Sequence, residues 1–230
     1  MTETLPTGST LTERAVFDQV TLSVSNGSVG SMPGSCDLLT SSGRVAALSV
    51  HRWVREPDLA DHRLFLDHCW GSTLDVGCGP GRLAGELTAR QVHAVGIDVS
   101  PEAVRLARGR GAVALCQDVF GYVPGIGSWD NVLLADGNIG IGGDPERLLT
   151  RVGEIVHPGG VVLTEVDPPG VGLVCDHVRM RIGSRVSEPF PWAFVGADAV
   201  ESVAGAAGLK VDDVRYLAGR RVAMLSRPSA

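Results

Sequence analysis

Two rhythms of apolar and polar residues divide the chain. From Thr73 onward, short continuous apolar runs alternate with segments whose apolar residues recur every three to four positions. The runs Thr73–Gly77, Val92–Ile97, Ala112–Cys116, Asn131–Ala135 and Val161–Val166 predict strands. Between them, Arg82–Ala89 sets Leu83 and Leu87 on one helical face. Leu148, Leu149, Val152, Ile155 and Val156 fall at i, i+1, i+4, i+7 and i+8, an amphipathic stripe. Ser100-Pro-Glu and Asp144-Pro-Glu each supply an N-cap, a proline for the first turn and an acid that suits the helix dipole. Apolar strands alternating with helices predict an α/β fold, with a mostly parallel sheet covered on both faces.

The ends of the chain break this rhythm. Thr12–Val20 is weakly helical in spacing. Cys36–Thr40 and Val45–Val50 flank a Ser/Gly turn and predict a β-hairpin, and Asn26–Ser35 reads as a loop. Pro57–Cys69 predicts a short helix with Asp58 and Asp61 in its first turn. In the tail, Val178–Gly183 and Ala193–Gly196 read as short extended pieces and Asp198–Ala207 as a helix. Val211–Leu217 and Arg221–Leu225 read as a closing antiparallel pair. The expected organisation is an N-terminal extension over residues 1–56 that covers a pocket, then one domain over residues 57–230, with a single core.

Composition narrows the function. The 230 residues carry 20 Lys and Arg against 26 Asp and Glu, a net charge of −6, and Lys210 is the only lysine. A polyanion needs clustered cations, so nucleic acid is excluded as a partner. Five scattered cysteines without a Cys-x-x-Cys pair point away from a disulfide framework and from a structural metal site. The histidines form no metal-spaced cluster. No apolar run approaches the ~20 residues of a membrane helix, and Met1–Ser9 is polar, so the expectation is a cytoplasmic protein with no membrane partner.

The sharpest feature is Leu74-Asp-Val-Gly-Cys-Gly-Pro-Gly-Arg82, between a strand and a helix. Glycines 77, 79 and 81 keep side chains out of a tight turn, so a ligand can approach backbone and the positive helix N-terminus. Asp98 ends the second strand, where a carboxylate can accept both hydroxyls of a ribose. Gln117-Asp118 ends the third, where an acid can accept from an adenine amino group. A dinucleotide site wants G-x-G-x-x-G, but here the third glycine comes one residue early and Arg82 takes its place. Asp75 suits an ammonium better than a pyrophosphate, so the ligand expected is a nucleoside with a cationic amino-acid end.

Residues 73 to about 167 resemble the class I S-adenosylmethionine-dependent methyltransferase family. The glycine stretch is similar to its first motif, Val95–Ser100 to its ribose segment, Cys116–Phe120 to its adenine segment, and His157–Gly160 to its Pro-Gly-Gly turn. The resemblance implies a Rossmann-like seven-stranded sheet with the last strand antiparallel, and S-adenosyl-L-methionine as cofactor. It implies that Asp75, Gly77, Cys78, Gly79 and Gly81 cradle the methionine part. Asp98 then holds the ribose with Val99 against adenine, Gln117, Asp118 and Val119 meet the adenine, and Ala135 and Asp136 lie near the amine and methyl group. Cys78 needs only to be small there and is not read as a nucleophile.

The loop after the fourth strand, Asp136–Gly143, is the family's substrate-facing segment, and its four glycines imply close backbone approach to acceptor and cofactor. Asp136, Asn138 and Glu165 are the candidate catalytic residues. An orienting role for Asn138 on the acceptor alone implies that its replacement leaves cofactor affinity intact. Trp53, Phe190, Trp192 and Phe194 read as core more than as a substrate cage, and His51 and His177 lie in segments that cover the pocket. The resulting reading is a methyltransferase acting on a small-molecule acceptor. A cofactor-binding relative with a non-methylating role and a protein methyltransferase remain the alternatives, and the acceptor atom and oligomeric state stay open.

Overall fold

The structure is a computed structural model that describes residues 12–25 and 36–228. The expected rhythm appears as β3 (Ser72–Val76), α4 (Arg82–Ala89), β4 (His93–Asp98), α5 (Pro101–Gly109), β5 (Val113–Cys116), β6 (Trp129–Leu134), α6 (Pro145–Ile155) and β7 (Val156–Val166). Both N-caps form as the sequence implies. Ser100 accepts from the Ala103 N–H at 3.0 Å, and Asp144 accepts from the Arg147 N–H at 3.0 Å. The α6 stripe of Leu148, Leu149, Val152 and Ile155 is fully buried. That burial, more than intrinsic propensity, holds such a helix.

After α7 (Val200–Ala206), β11 (Lys210–Leu217) and β12 (Arg220–Ser226) close the sheet as the expected antiparallel pair. The seven strands run in the order β11-β12-β7-β6-β3-β4-β5. From β7 to β5 all neighbours are parallel, and β12 pairs antiparallel with β7. Strand order reverses between β3 and β6, which leaves a crevice at their carboxyl ends, the place where open α/β sheets take ligands. No helix among the described residues is long and apolar enough to cross a membrane.

The expectation of a single core is corrected by a second sheet. The hairpin forms as β1 (Cys36–Leu39) and β2 (Val45–Leu48), but β1 also pairs with β8 (Leu173–Ile182), which pairs with β10 (Phe190–Val195) and with the short β9 (Arg185–Val186). Leu38, Val178, Met180, Phe190, Trp192 and Phe194 form its own apolar cluster. The extended tail pieces are thus longer than their sequence suggested. Alternating exposure along β8 hides half of its residues from an apolar-run reading. Ahead of the large sheet, α1 (Glu13–Ser25), α2 (Val50–Val54) and α3 (Leu59–Leu64) lead in. Asp58 is the N-cap of α3, in a reciprocal capping box with Asp61. The expected loop at 26–35 lies outside the described residues.

Candidate functional site

A cavity of about 340 Å³ fills the crevice at the carboxyl ends of β3, β4, β5 and β6. Its floor is the turn from β3 into α4. The Gly77 and Cys78 N–H groups donate to the Ile97 carbonyl at 2.8 and 3.1 Å, which ties the loop to the end of β4. Two glycines serve this turn in different ways. Gly81, the α4 N-cap at φ 83°, sits so close to α5 that a Cβ would lie 2.8 Å from Ala107 Cα, and it does not line the cavity. Gly79, at φ 53°, faces the cavity, and a Cβ there would meet nothing within 4 Å, so a ligand can approach its backbone.

Asp98 closes one side. Its Oδ2 accepts from the Gly79 N–H at 2.9 Å and its Oδ1 from the Ser100 N–H at 2.8 Å, so one carboxylate links the glycine loop to the start of α5. Burial raises its pKa against the pull of those two N–H groups. Helix α1 reaches the same place, with Asp18 accepting from the Ser100 hydroxyl. Val99, Gln117, Asp118 and Val119 line the far end, and Asp118 Oδ1 accepts from the Phe120 N–H at 2.9 Å. Cys78 lines the cavity, but burial pushes its thiol well above the ordinary value, which suits a packing residue and not a thiolate.

Asp75, Ala135, Asp136 and Asn138 line the other end. Asp75 is 2% exposed. Burial raises its carboxyl pKa to about 7, with Arg82 opposing and Asp136 adding to the shift. Asp136 adopts φ 53°, a left-handed conformation that costs a residue with a Cβ of order 1 kcal/mol or more. Its N–H donates to Glu165 Oε2 at 2.8 Å. Its carboxylate meets Arg82, and Arg52 at 3.4 Å. Glu165 lies behind this loop, outside the cavity lining, with Arg220 Nε and a terminal nitrogen donating to its two oxygens at 2.9 and 2.8 Å. Its contact with the site runs through Asp136. Fully buried Asp61 completes the cluster, accepting from Arg82 and, at 2.5 Å, from Arg220.

The loop glycines approach protein. A Cβ on Gly140 would strike the Ala193 carbonyl and the Trp192 ring, one on Gly143 would lie 2.8 Å from Pro191 Cβ, and one on Gly142 would lie 2.9 Å from the Phe120 ring. Three of the four glycines therefore let β10 and Phe120 pack against the loop, which corrects the expectation that all four make room for ligands. Asn138 is also committed to protein, since its amide donates to the Val76 and Gly77 carbonyls at 2.9 and 3.0 Å. Asn138→Ala removes both donors from the glycine turn. Contrary to the expectation of intact affinity, it should weaken cofactor binding by roughly three- to tenfold and lower stability by about 1–3 kcal/mol. Titration calorimetry and a thermal melt on the variant check this, and unchanged affinity would leave the acceptor as its partner.

Of the four aromatic residues read as core, Phe190, Trp192 and Phe194 belong to the second sheet's apolar cluster and Trp53 packs against it, while Trp53 and Trp192 also line the cavity with Phe17 of α1. His51 and His177 are exposed and do not line it. Sequence reasoning missed Phe17, Arg52, Asp61 and Arg220. Asp61 and Arg220 stand 159 residues apart, and no local pattern couples them. The one available signal was Arg82, a cation placed where a helix N-terminus repels it and which therefore needs carboxylates nearby.

Comparison with known proteins agrees with this geometry. The family model described as a methyltransferase domain matches residues 73–160. No curated protein matches the chain in sequence. A methyltransferase from Bacteroides fragilis, solved with S-adenosyl-L-homocysteine, superposes with a TM-score of 0.72 at 20% identity, covering 92% of this chain and 95% of that one. A 1,6-didemethyltoxoflavin N1-methyltransferase from Burkholderia thailandensis gives 0.59 at 14% identity over 98% and 94%. An amino pentose methyltransferase from Micromonospora echinaspora gives 0.54 at 20% over 73% and 88%. At these identities the likeness is one of fold, the Rossmann-like seven-stranded sheet.

Proposed function

We propose that this chain, whose residues 73–160 match the methyltransferase-domain model, binds S-adenosyl-L-methionine and methylates a small-molecule acceptor. The observation that carries the reading is the open backbone face of Gly79 between two acids, Asp98 and Asp75, in one cavity. The residues present fit the cofactor. Asp98 suits the ribose hydroxyls and Val99 the adenine face, with Gln117, Asp118 and Val119 at the base edge. Asp75 suits the ammonium. The Nε of Arg82, buried and without a hydrogen-bond partner, is a donor left for the carboxylate end. Bound there, the cofactor supplies an electrophilic methyl group on a sulfonium. The protein's part is to hold donor and acceptor in line, with Asp136 fixed at the reacting end by Arg82 and Glu165. In this reading residues 1–56 contribute the pocket cover and residues 57–230 the methyltransferase unit. A cavity of about 340 Å³ favours a small acceptor over a protein chain, and the neighbours that act on a toxoflavin precursor and on an amino pentose agree with it.

S-adenosylhomocysteine should bind and raise the Tm, because it binds the native state alone, and NAD should do neither. The affinity should depend on pH through Asp75. Its carboxyl is mostly protonated at pH 6 and ionised at pH 8, and an ammonium selects the ionised form. Binding at pH 8 is therefore expected to be about tenfold tighter than at pH 6. Calorimetry at both pH values decides this. NAD binding without S-adenosylhomocysteine binding overturns the cofactor, and a flat pH profile removes Asp75 from the ammonium.

A further inference from the structure

We propose that the acceptor is a flat, uncharged nitrogen heterocycle whose ring nitrogen already carries a free lone pair at neutral pH. This rests on the methyl-donor reading above. The first support is that, among the described lining residues, the groups able to take a proton are Asp75, Asp98, Asp118 and Asp136, and each has a place at the donor or a protein partner in this reading. Among the described lining residues there is no histidine, lysine or tyrosine. Residues 1–11 and 26–35, outside the described set, contain none of these types and no cysteine. The lining carboxylates are engaged. Asp98 accepts from two backbone N–H groups, one on each oxygen, and Asp118 accepts from the Phe120 N–H. Asp136 has Arg82 on one oxygen and Arg52 at 3.4 Å from the other. Asp75 is buried at the donor end.

That inventory bears on the chemistry. A phenol-like hydroxyl, with a pKa of about 10, is ionised to only about one part in a thousand at pH 7. A positioned general base would recover roughly 10²–10⁴ of the rate. A ring nitrogen needs no such base. Its lone pair forms the new bond to the methyl carbon, the electron pair of the breaking carbon–sulfur bond stays on sulfur, and the positive charge passes to the heterocycle.

The second support is the wall that faces such a ring. Phe17 of α1, Trp53 of α2 and Trp192 of β10 line the cavity with Ile141. Phe190 braces two of them from behind, with ring centroids 5.9 Å from Phe17 and 6.3 Å from Trp192 at 85°. Aromatic faces stack on a flat ligand, and they attract a cation within about 6 Å of the ring centre. Against the guanidinium of Arg14, which lines the same cavity, they favour the charge that develops on the heterocycle during transfer over the neutral starting state, which is how binding becomes rate acceleration.

The test uses the full chain with isoquinoline and 2-naphthol, two bicyclic probes of one shape that differ in the acceptor atom. On protein saturated with S-adenosylhomocysteine, calorimetry should show isoquinoline binding that weakens as pH falls through the probe's own pKa, because the neutral base is the bound form. Trp53→Ala should weaken that binding about tenfold. With labelled S-adenosylmethionine at saturation, label should pass to isoquinoline at least a hundredfold faster than to 2-naphthol. Methylation of 2-naphthol within tenfold of isoquinoline overturns the proposal, as does preferential binding of protonated isoquinoline. If S-adenosylhomocysteine binds but isoquinoline neither binds nor accepts label, the acceptor class falls while the donor reading stands. If S-adenosylhomocysteine itself does not bind, the donor reading falls and takes the acceptor with it.

Discussion

Replacing Asp61 by Ala is expected to destabilise the protein by roughly 3–5 kcal/mol, the usual result of breaking a buried ion pair from one side. For a chain of this size that corresponds to a fall in Tm of about 6–20 °C. Asp61 is fully buried and takes hydrogen bonds from both Arg82 and Arg220. Its loss leaves two buried guanidinium groups short of a carboxylate, and it also removes the acceptor for the Asp58 N–H in the α3 capping box, at 3.0 Å. Burial alone would raise the Asp61 pKa, but the two arginines outweigh it and hold the carboxyl below its ordinary value. The pair's contribution is therefore present above the ordinary carboxylate pKa and is lost as pH falls through the lower folded value. The parent's Tm should drop on acidification below about pH 4, and the drop should be smaller in the variant. Thermal melts of both proteins at pH 7 and pH 3.5 check the two statements together. A variant within 2 °C of the parent would mean that the cluster is solvated and not structural.

Asp98→Ala is expected to weaken S-adenosylhomocysteine binding by roughly tenfold to a hundredfold, the worth of a charge-assisted hydrogen bond of about 1.5–3 kcal/mol. The structure places the larger figure within reach, because the same carboxylate also fixes the Gly79 N–H at 2.9 Å and the Ser100 N–H at 2.8 Å. The alanine variant thus loses the ribose partner and loosens the cradle that Gly79 offers. Asp98→Asn keeps the shape and one acceptor oxygen, so its loss should be smaller. Circular dichroism should show the fold intact in both, since the residue stands at a strand end. Parental affinity in the alanine variant would place the ribose elsewhere.

The apolar runs from Thr73 to Val166 and the stripe on α6 determined by themselves that a parallel sheet forms and which helix faces it. Each of those signals lies within one element, and burial on both sides of a strand leaves an unbroken apolar run. The glycine turn and the acids at 75, 98 and 118 were legible for the same reason, since the ends of neighbouring parallel strands come together once the sheet forms. The second sheet was not legible, because β1 finds β8 across more than a hundred residues and the half-exposed β8 carries a weak pattern. Nor was the fate of the loop at 136–143 legible. A glycine-rich segment states that something approaches closely, not what approaches, and only tertiary packing put Trp192, Pro191 and Phe120 there. The cluster of Asp61, Arg82, Asp136, Glu165 and Arg220 is the clearest case. Charges take partners by distance in space, and the partners here come from α3, α4, the loop after β6, β7 and β12, which only the folded sheet brings within hydrogen-bond reach.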